Sequence, residues 1–107
     1  IVSSDPRIYH PGDKPYWYGS SKSAANNMFK HYASRYSDIG RFNSIILGGV
    51  KLNNVSEDFQ TKYGQKVPSK KMLQLSQLIE PVKFLLSNGS SGVNGTEFVL
   101  DEGFTIW

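Results

Sequence analysis

Hydrophobic positions along this chain recur at two different intervals, and the intervals alternate. From Tyr18 onward, Ala25, Met28 and Phe29, Tyr32 and Ala33, Tyr36 and Ile39 keep the helical spacing of about 3.6 residues, and Gly40 supplies a natural stop. Phe42–Leu47 is then a short apolar run between Arg41 and Gly48-Gly49, which reads as a buried parallel strand. Residues 51–68 are polar and weakly periodic, with a short helix expected around Glu57–Tyr63. Leu75, Leu78 and Ile79, Val82, Leu85 and Leu86 mark a second amphipathic helix, with Ser76 as the expected N-cap and Ser87-Asn88-Gly89 as its end. Pro81 fits early in that helix or at a kink. Asn88–Gly95 is a turn-rich link and Thr96–Leu100 a final strand. At the other end, Ile1-Val2 reads as the tail of a strand. The stretch from Asp5 to Tyr16, rich in proline, glycine and charge, reads as an irregular loop.

Strand end, loop, long helix, strand, loop, helix, strand is the order of an α/β fold with helical crossovers between parallel strands. A parallel sheet needs cover on both faces and at its edges. With about three strands in hand, the expectation is a part of a larger domain, residues 1–107 forming one portion of it.

Composition narrows the classes. The 38% hydrophobic and 13% aromatic content of these 107 residues fits a folded domain with a moderate core. No apolar run reaches the roughly 18 residues of a membrane span, and Ile1-Val2-Ser3-Ser4 lacks the basic start and apolar stretch of a signal peptide, so no membrane association and a cytoplasmic location are expected. With zero cysteines there is neither a disulfide framework nor a thiolate metal site. His10 and His31 have no partner at ligand spacing, so no metal is expected. Asp101 and Glu102 follow a strand side by side and should point apart, which argues against a paired-carboxylate hydrolase. Net charge is +3, and Lys51, Lys62, Lys66, Lys70 and Lys71 face only Glu57 and Asp58 in the same stretch. That could attract an acidic or nucleotide-linked ligand, although a solvated lysine-rich surface is the simpler reading. The aromatics fall inside apolar periodic stretches, which favours core over base stacking, and nucleic acid is not expected as a partner.

The candidate chemistry is Tyr18-Gly-Ser-Ser-Lys22. On a helix, positions four apart share a face with Cβ atoms about 5–6 Å apart. An ammonium beside a phenol, near the positive end of a helix, favours loss of the phenolic proton, the property a general acid/base needs near neutral pH. As an exposed helix pair with no chemistry, the same two residues would be worth a few tenths of a kcal/mol.

Taken together, these segments resemble the C-terminal half of the short-chain dehydrogenase/reductase family. Ile1-Val2-Ser3-Ser4 resembles the strand end that carries that family's catalytic serine, and Tyr18-Gly-Ser-Ser-Lys22-Ser-Ala-Ala25 its active-site tyrosine and lysine. Arg41–Ile46 resembles the next strand, and Leu47-Gly48-Gly49-Val50 stands where the family has Pro-Gly before its substrate loop. Phe84–Ser87 and Asn94–Thr105 resemble the closing helix, turn, strand and Asp-Gly-Gly tail.

The resemblance implies a Rossmann-like three-layer α/β/α parallel sheet, of which this is the C-terminal portion, and hydride transfer between NAD or NADP and an alcohol or ketone. It implies Tyr18 as the proton-exchanging group, Lys22 as its electrostatic partner and a holder of the nicotinamide ribose, and Ser4 as a hydrogen-bond donor to the reacting oxygen. Ser3 is the alternative to Ser4, because adjacent strand residues face opposite ways. Gly48 and Val50 would bring backbone groups close to the nicotinamide, and residues 51–68 would form the substrate lid. Helix 18–39 and the last strand would pack against another subunit, so a homo-oligomer is implied. Leu47, Leu52 and Glu102 depart from the family pattern, replacing a proline, a threonine and a glycine. The glycine-rich pyrophosphate turn after a first strand is not found here; Gly48-Gly49 and Gly89–Gly92 lack that setting and read as turns. The isolated chain is therefore expected to need a complementing N-terminal half. Two rival readings are an inactive, self-associating binding module and a basic nucleotide-binding module.

Overall fold

The computed structural model describes the backbone of residues 2–4 and the whole of residues 15–106. Residues 5–14, read as a loop and containing His10, lie outside the described residues, as do the side chains of Ser3 and Ser4.

Three parallel strands form the central sheet in the order β1 (Val2–Ser4), β2 (Ser44–Leu47), β5 (Glu97–Leu100). Val2 registers with Ile45 and Ser4 with Leu47, while Ser44 to Leu47 register with Glu97 to Leu100. Helix α1 (Trp17–Arg35) covers one face: Asn26 Oδ1 accepts from Ser44 Oγ at 3.2 Å, and Lys30 pairs with Glu97 at 2.7 Å. Helix α3 (Ile79–Leu86) covers the other, where Phe84 packs on Phe98 with ring centroids 6.4 Å apart. The expected three-layer arrangement is observed. Under α1 the buried residues are Phe29, Ala33, Ser44 and Ile46, with Phe29 fully buried.

Residues 51–68, expected to be polar and weakly periodic with a short helix around Glu57–Tyr63, belong to a more ordered segment, 50–74. A two-residue parallel ladder joins β3 (Val50–Lys51) to β4 (Leu73–Gln74), and Val67, Met72 and Leu73 are buried. Between them lies α2 (Glu57–Gly64), where Ser56 caps Phe59 N, Glu57 and Asp58 occupy the positive first turn, and Lys62 bonds Asp58 one turn on at 2.7 Å.

Three expected boundaries are corrected. Helix α1 ends at Arg35, because Tyr36 leaves helical geometry (φ −122°, ψ 31°); Gly40 N–H then bonds Tyr36 O, closing a separate turn before Ile39 can join the helix. Strand β2 begins at Ser44, because Phe42 and Asn43 are taken up by side-chain bonds: Phe42 N donates to Asn94 Oδ1, Asn43 Nδ2 to Val93 O and Thr96 N to Asn43 Oδ1. The second amphipathic segment starts not at Ser76 but at Gln74, whose side chain and that of Gln77 form a reciprocal capping box before a 3-10 turn, Leu75–Leu78, that leads into α3. Pro81 falls in the first turn of α3, where a missing N–H costs little.

Candidate active site

The two residues singled out by spacing meet. Tyr18 and Lys22 lie on the first turns of α1, both half-buried, with Lys22 Nζ 5.5 Å from the centre of the Tyr18 ring. That is within the range of a cation–π contact. Among the described residues Lys22 has no carboxylate partner, whereas Lys30, Lys62 and Lys83 are each ion-paired. The first turn holds no acidic residue and Tyr16 supplies no capping oxygen, so side chains there do not offset the positive end of the helix dipole beside Tyr18.

Helix α1 runs against the strands. Asn26 reaches the start of β2, Lys30 the start of β5, and the Ala33 carbonyl accepts from Asn94, which precedes β5. From Asn26 back to Tyr18 the helix rises about 12 Å, close to the roughly 10 Å that β2 advances from Ser44 to Leu47. Tyr18 and Lys22 therefore stand level with the carboxyl edge of the sheet, where Ser4, Leu47 and Leu100 also end their strands. In open parallel sheets that edge is where ligands bind.

At the same edge the chain turns at Gly48-Gly49. Gly48 N–H continues the sheet by donating to Leu100 O at 2.9 Å, and Gly49 N–H donates to the phenol of Tyr63 at 2.6 Å. Gly49 O accepts from Leu73 N at 2.9 Å, and Val50 enters β3. Both glycines are required by packing. A Cβ at Gly48 would stand 2.8 Å from Asp101 Cα and 2.9 Å from Tyr63 Oη, and one at Gly49 would stand 2.7 Å from the Tyr63 ring. The Tyr63 ring lies between Phe104 (5.3 Å, 13° between planes) and Phe59 (6.3 Å, 26°). Burial raises the Tyr63 phenol above the usual tyrosine range; the Gly49 amide bond opposes this, and the charges of Asp101 and Glu102 add to it.

The adjacent carboxylates do part company. Asp101, nearly buried, accepts from Gly103 N and Thr105 N, each at 2.9 Å, and so shapes the tail. Glu102 accepts from Gln77 Nε2 at 2.9 Å instead. Its φ of +55° places it in the left-handed region where a glycine would sit without strain. Among the described residues no group of three His, Cys, Asp or Glu is assembled, and His31 packs edge-on against Tyr32. No helix there is long and apolar enough to cross a membrane.

The structure thus joins Tyr18 to Lys22, and puts Gly48 in the turn that follows the residue registered with Ser4 and Val50 at the start of β3 just after it. Tyr63 was not anticipated. Its partner is fourteen residues away, and residues 51–68 carry no periodic signal that pairs them with a strand end.

Comparison with known proteins places these features in a family. Residues 2–105 match the family model described as enoyl-(acyl carrier protein) reductase. An uncharacterised oxidoreductase of Schizosaccharomyces pombe is 28% identical over 88 residues, 82% of this chain and 34% of that protein. Cyclohexanol dehydrogenase of an Acinetobacter species is 29% identical over 89 residues, 82% of this chain and 36% of the relative. The chain thus spans about a third of the length of these curated relatives. A short chain dehydrogenase of Leptospira borgpetersenii, solved with bound NAD+, is 32% identical and superposes with a TM-score of 0.88 over 98% of this chain and 43% of its own.

Proposed function

The chain belongs to the short-chain dehydrogenase/reductase family, and from that membership we propose that it is the C-terminal, proton-transferring part of an NAD- or NADP-dependent oxidoreductase acting on an alcohol or ketone. The observation that carries this reading is the Tyr18–Lys22 contact at the carboxyl edge of the sheet. The side chains fit a nicotinamide cofactor: an ammonium with no carboxylate partner among the described residues can bond ribose hydroxyls while it stays over the Tyr18 ring. When bound, the nicotinamide supplies the hydride chemistry. Tyr18 holds the proton that passes to or from the substrate oxygen, and Lys22 and the dipole of α1 stabilise negative charge as it develops on the phenol oxygen. Ser4, or its neighbour Ser3, donates a hydrogen bond to the reacting oxygen. Gly48 and Val50 back the nicotinamide. Because the Gly48 amide is already bonded to Leu100, Gly48 would meet the cofactor through its carbonyl or Cα.

The pyrophosphate-binding turn is assigned to residues outside these 107, as a preceding segment or a complementing chain. A homo-oligomer and a cytoplasmic setting complete the reading. The lysines of residues 51–71 make an acidic or nucleotide-linked substrate worth including in a screen. The rival reading of an inert, self-associating module is not favoured, since the match to an enzyme family runs through the Tyr18–Lys22 pair.

The test is Tyr18→Phe in the complete enzyme, this chain together with the residues that carry the dinucleotide turn. Losing a general acid/base should cut turnover by roughly 10²–10⁴-fold, with the far-UV spectrum and the cofactor-dependent thermal shift retained. Wild-type turnover in the variant would remove the catalytic assignment. Comparing NADH and NADPH in the same thermal-shift assay identifies the cofactor.

A further inference from the structure

From the Tyr63 contacts we infer that this residue is a positioning residue, a latch that ties helix α2 of the substrate lid to the Gly48-Gly49 turn so that the two move as one unit. The inference rests on the dehydrogenase reading, because it assigns the turn to the cofactor and α2 to the substrate. Helix α2 has eight residues, too few to hold its own shape in water, so its order depends on where it is anchored. Its buried residue is Gly64, where a Cβ would stand 2.8 Å from Lys70 O. Phe59, by contrast, is 48% exposed. Tyr63 is the side chain that reaches the sheet edge, and it does so with two different contacts. Its ring stacks on Phe104 in the C-terminal tail, and its hydroxyl accepts the Gly49 amide at 2.6 Å.

That hydroxyl is placed so that it reads the turn. The absence of a Cβ at both Gly48 and Gly49 lets the phenol approach this closely. Gly49 also feeds β3 through its carbonyl, so the turn, the phenol and the β3–β4 ladder share one residue. A ligand that orders Gly48 and Val50 must therefore order Gly49, and through it Tyr63 and α2. The ring also packs against Gly49, a contact without direction that any ring at this position would keep; the hydroxyl adds a directed bond to the turn's own amide, and that bond is what couples the order of the turn to α2.

Tyr63→Phe separates the two, since it keeps the ring and removes the acceptor. Amide hydrogen exchange is followed in the complete enzyme, with and without NAD(H), alongside steady-state kinetics. The expected results are faster exchange at Gly49 in the variant and cofactor-induced protection of α1 in both proteins, with protection of residues 57–64 in the wild type only. Substrate KM should rise by roughly three- to tenfold, the size of one hydrogen bond, with kcat little changed. Unchanged Gly49 exchange, or equal cofactor protection of residues 57–64 in both proteins, overturns the latch and leaves the dehydrogenase reading standing. No cofactor protection anywhere in the wild type overturns both.

Discussion

Adding one methyl group at Gly48 and at Gly49 should give unequal costs, although the two residues are adjacent. At Gly48 the new Cβ would stand 2.8 Å from Asp101 Cα, well inside the 3.4 Å at which ordinary contact begins. Neither side can yield easily. Asp101 is held by Gly103 N and Thr105 N, and Gly48 by Leu100 O. At Gly49 the obstacles are side chains, the Tyr63 ring at 2.7 Å and Met72 Cε at 3.0 Å, and methionine adapts readily. Overpacking costs about 1–3 kcal/mol; Gly48→Ala belongs at or beyond the top of that range and Gly49→Ala near the middle. Tyr63→Ala separates the causes. It removes both ring contacts to Gly49 but leaves Asp101 in place, so in that background Gly49→Ala should fall to within about 0.5 kcal/mol of neutral while Gly48→Ala keeps most of its cost. Urea denaturation of the four variants and their parents reads this as an interaction energy of about 1 kcal/mol or more for the 49/63 pair. A Gly48→Ala cost below about 0.5 kcal/mol, or equal rescue of both alanines, would refute the packing argument.

Two further outcomes follow from buried polar groups. Asn26 is 4% exposed, and its Nδ2 has no hydrogen-bond partner among the described residues while its Oδ1 serves the fully buried Ser44. An unmet buried donor costs about 1–3 kcal/mol. Asn26→Leu alone should gain little, because it orphans Ser44, whereas Asn26→Leu with Ser44→Ala should raise the urea midpoint; a lower midpoint for the pair would show that Nδ2 is satisfied from outside the described residues. Tyr63 titrates above its unfolded value, so its neutral form contributes stability that is full below about pH 10 and is lost as pH climbs through the raised value. The stability difference between wild type and Tyr63→Phe should therefore shrink in melts run above about pH 10, and a difference that widens there would contradict the assigned direction.

The elements legible in the sequence were those with local causes. Helix α1 announced itself by apolar spacing, and β2 and β5 by short apolar runs, while α2 was expected around Glu57–Tyr63, one residue short of its end at Gly64. What escaped the reading depends on partners far along the chain. The entry to β2 is set by Asn94, about fifty residues away, and the start of the 3-10 turn ahead of α3 by two glutamines that no simple capping rule singles out over Ser76. The β3–β4 ladder is two residues long, and nothing in Val50-Lys51 distinguishes it from loop. In the site, the Tyr18–Lys22 pair was visible because helix geometry alone brings positions four apart together. Tyr63 was invisible because its meaning lies in Gly49.

The two kinds of evidence for the site are not equally strong. A glycine at position 48 matches the family pattern, yet Asp101 and Tyr63 would exclude any side chain there whether or not a dinucleotide ever approached. The match at that position is thus evidence of shared backbone packing, and carries little about chemistry. Glu102 makes the complementary case: it departs from the family glycine but keeps the left-handed backbone, held by its bond to Gln77, so the tail shape survives the substitution. Lys22 differs from both. Half-buried Lys22 has no carboxylate partner among the described residues, so stability gains little from its place over the Tyr18 ring beyond a cation–π contact of about 0.5–1 kcal/mol, and this pair is what the proposed proton transfer would use. The proposed function therefore stands or falls on Tyr18 and Lys22, and variants at the glycines report on the packing of the turn with Asp101 and Tyr63.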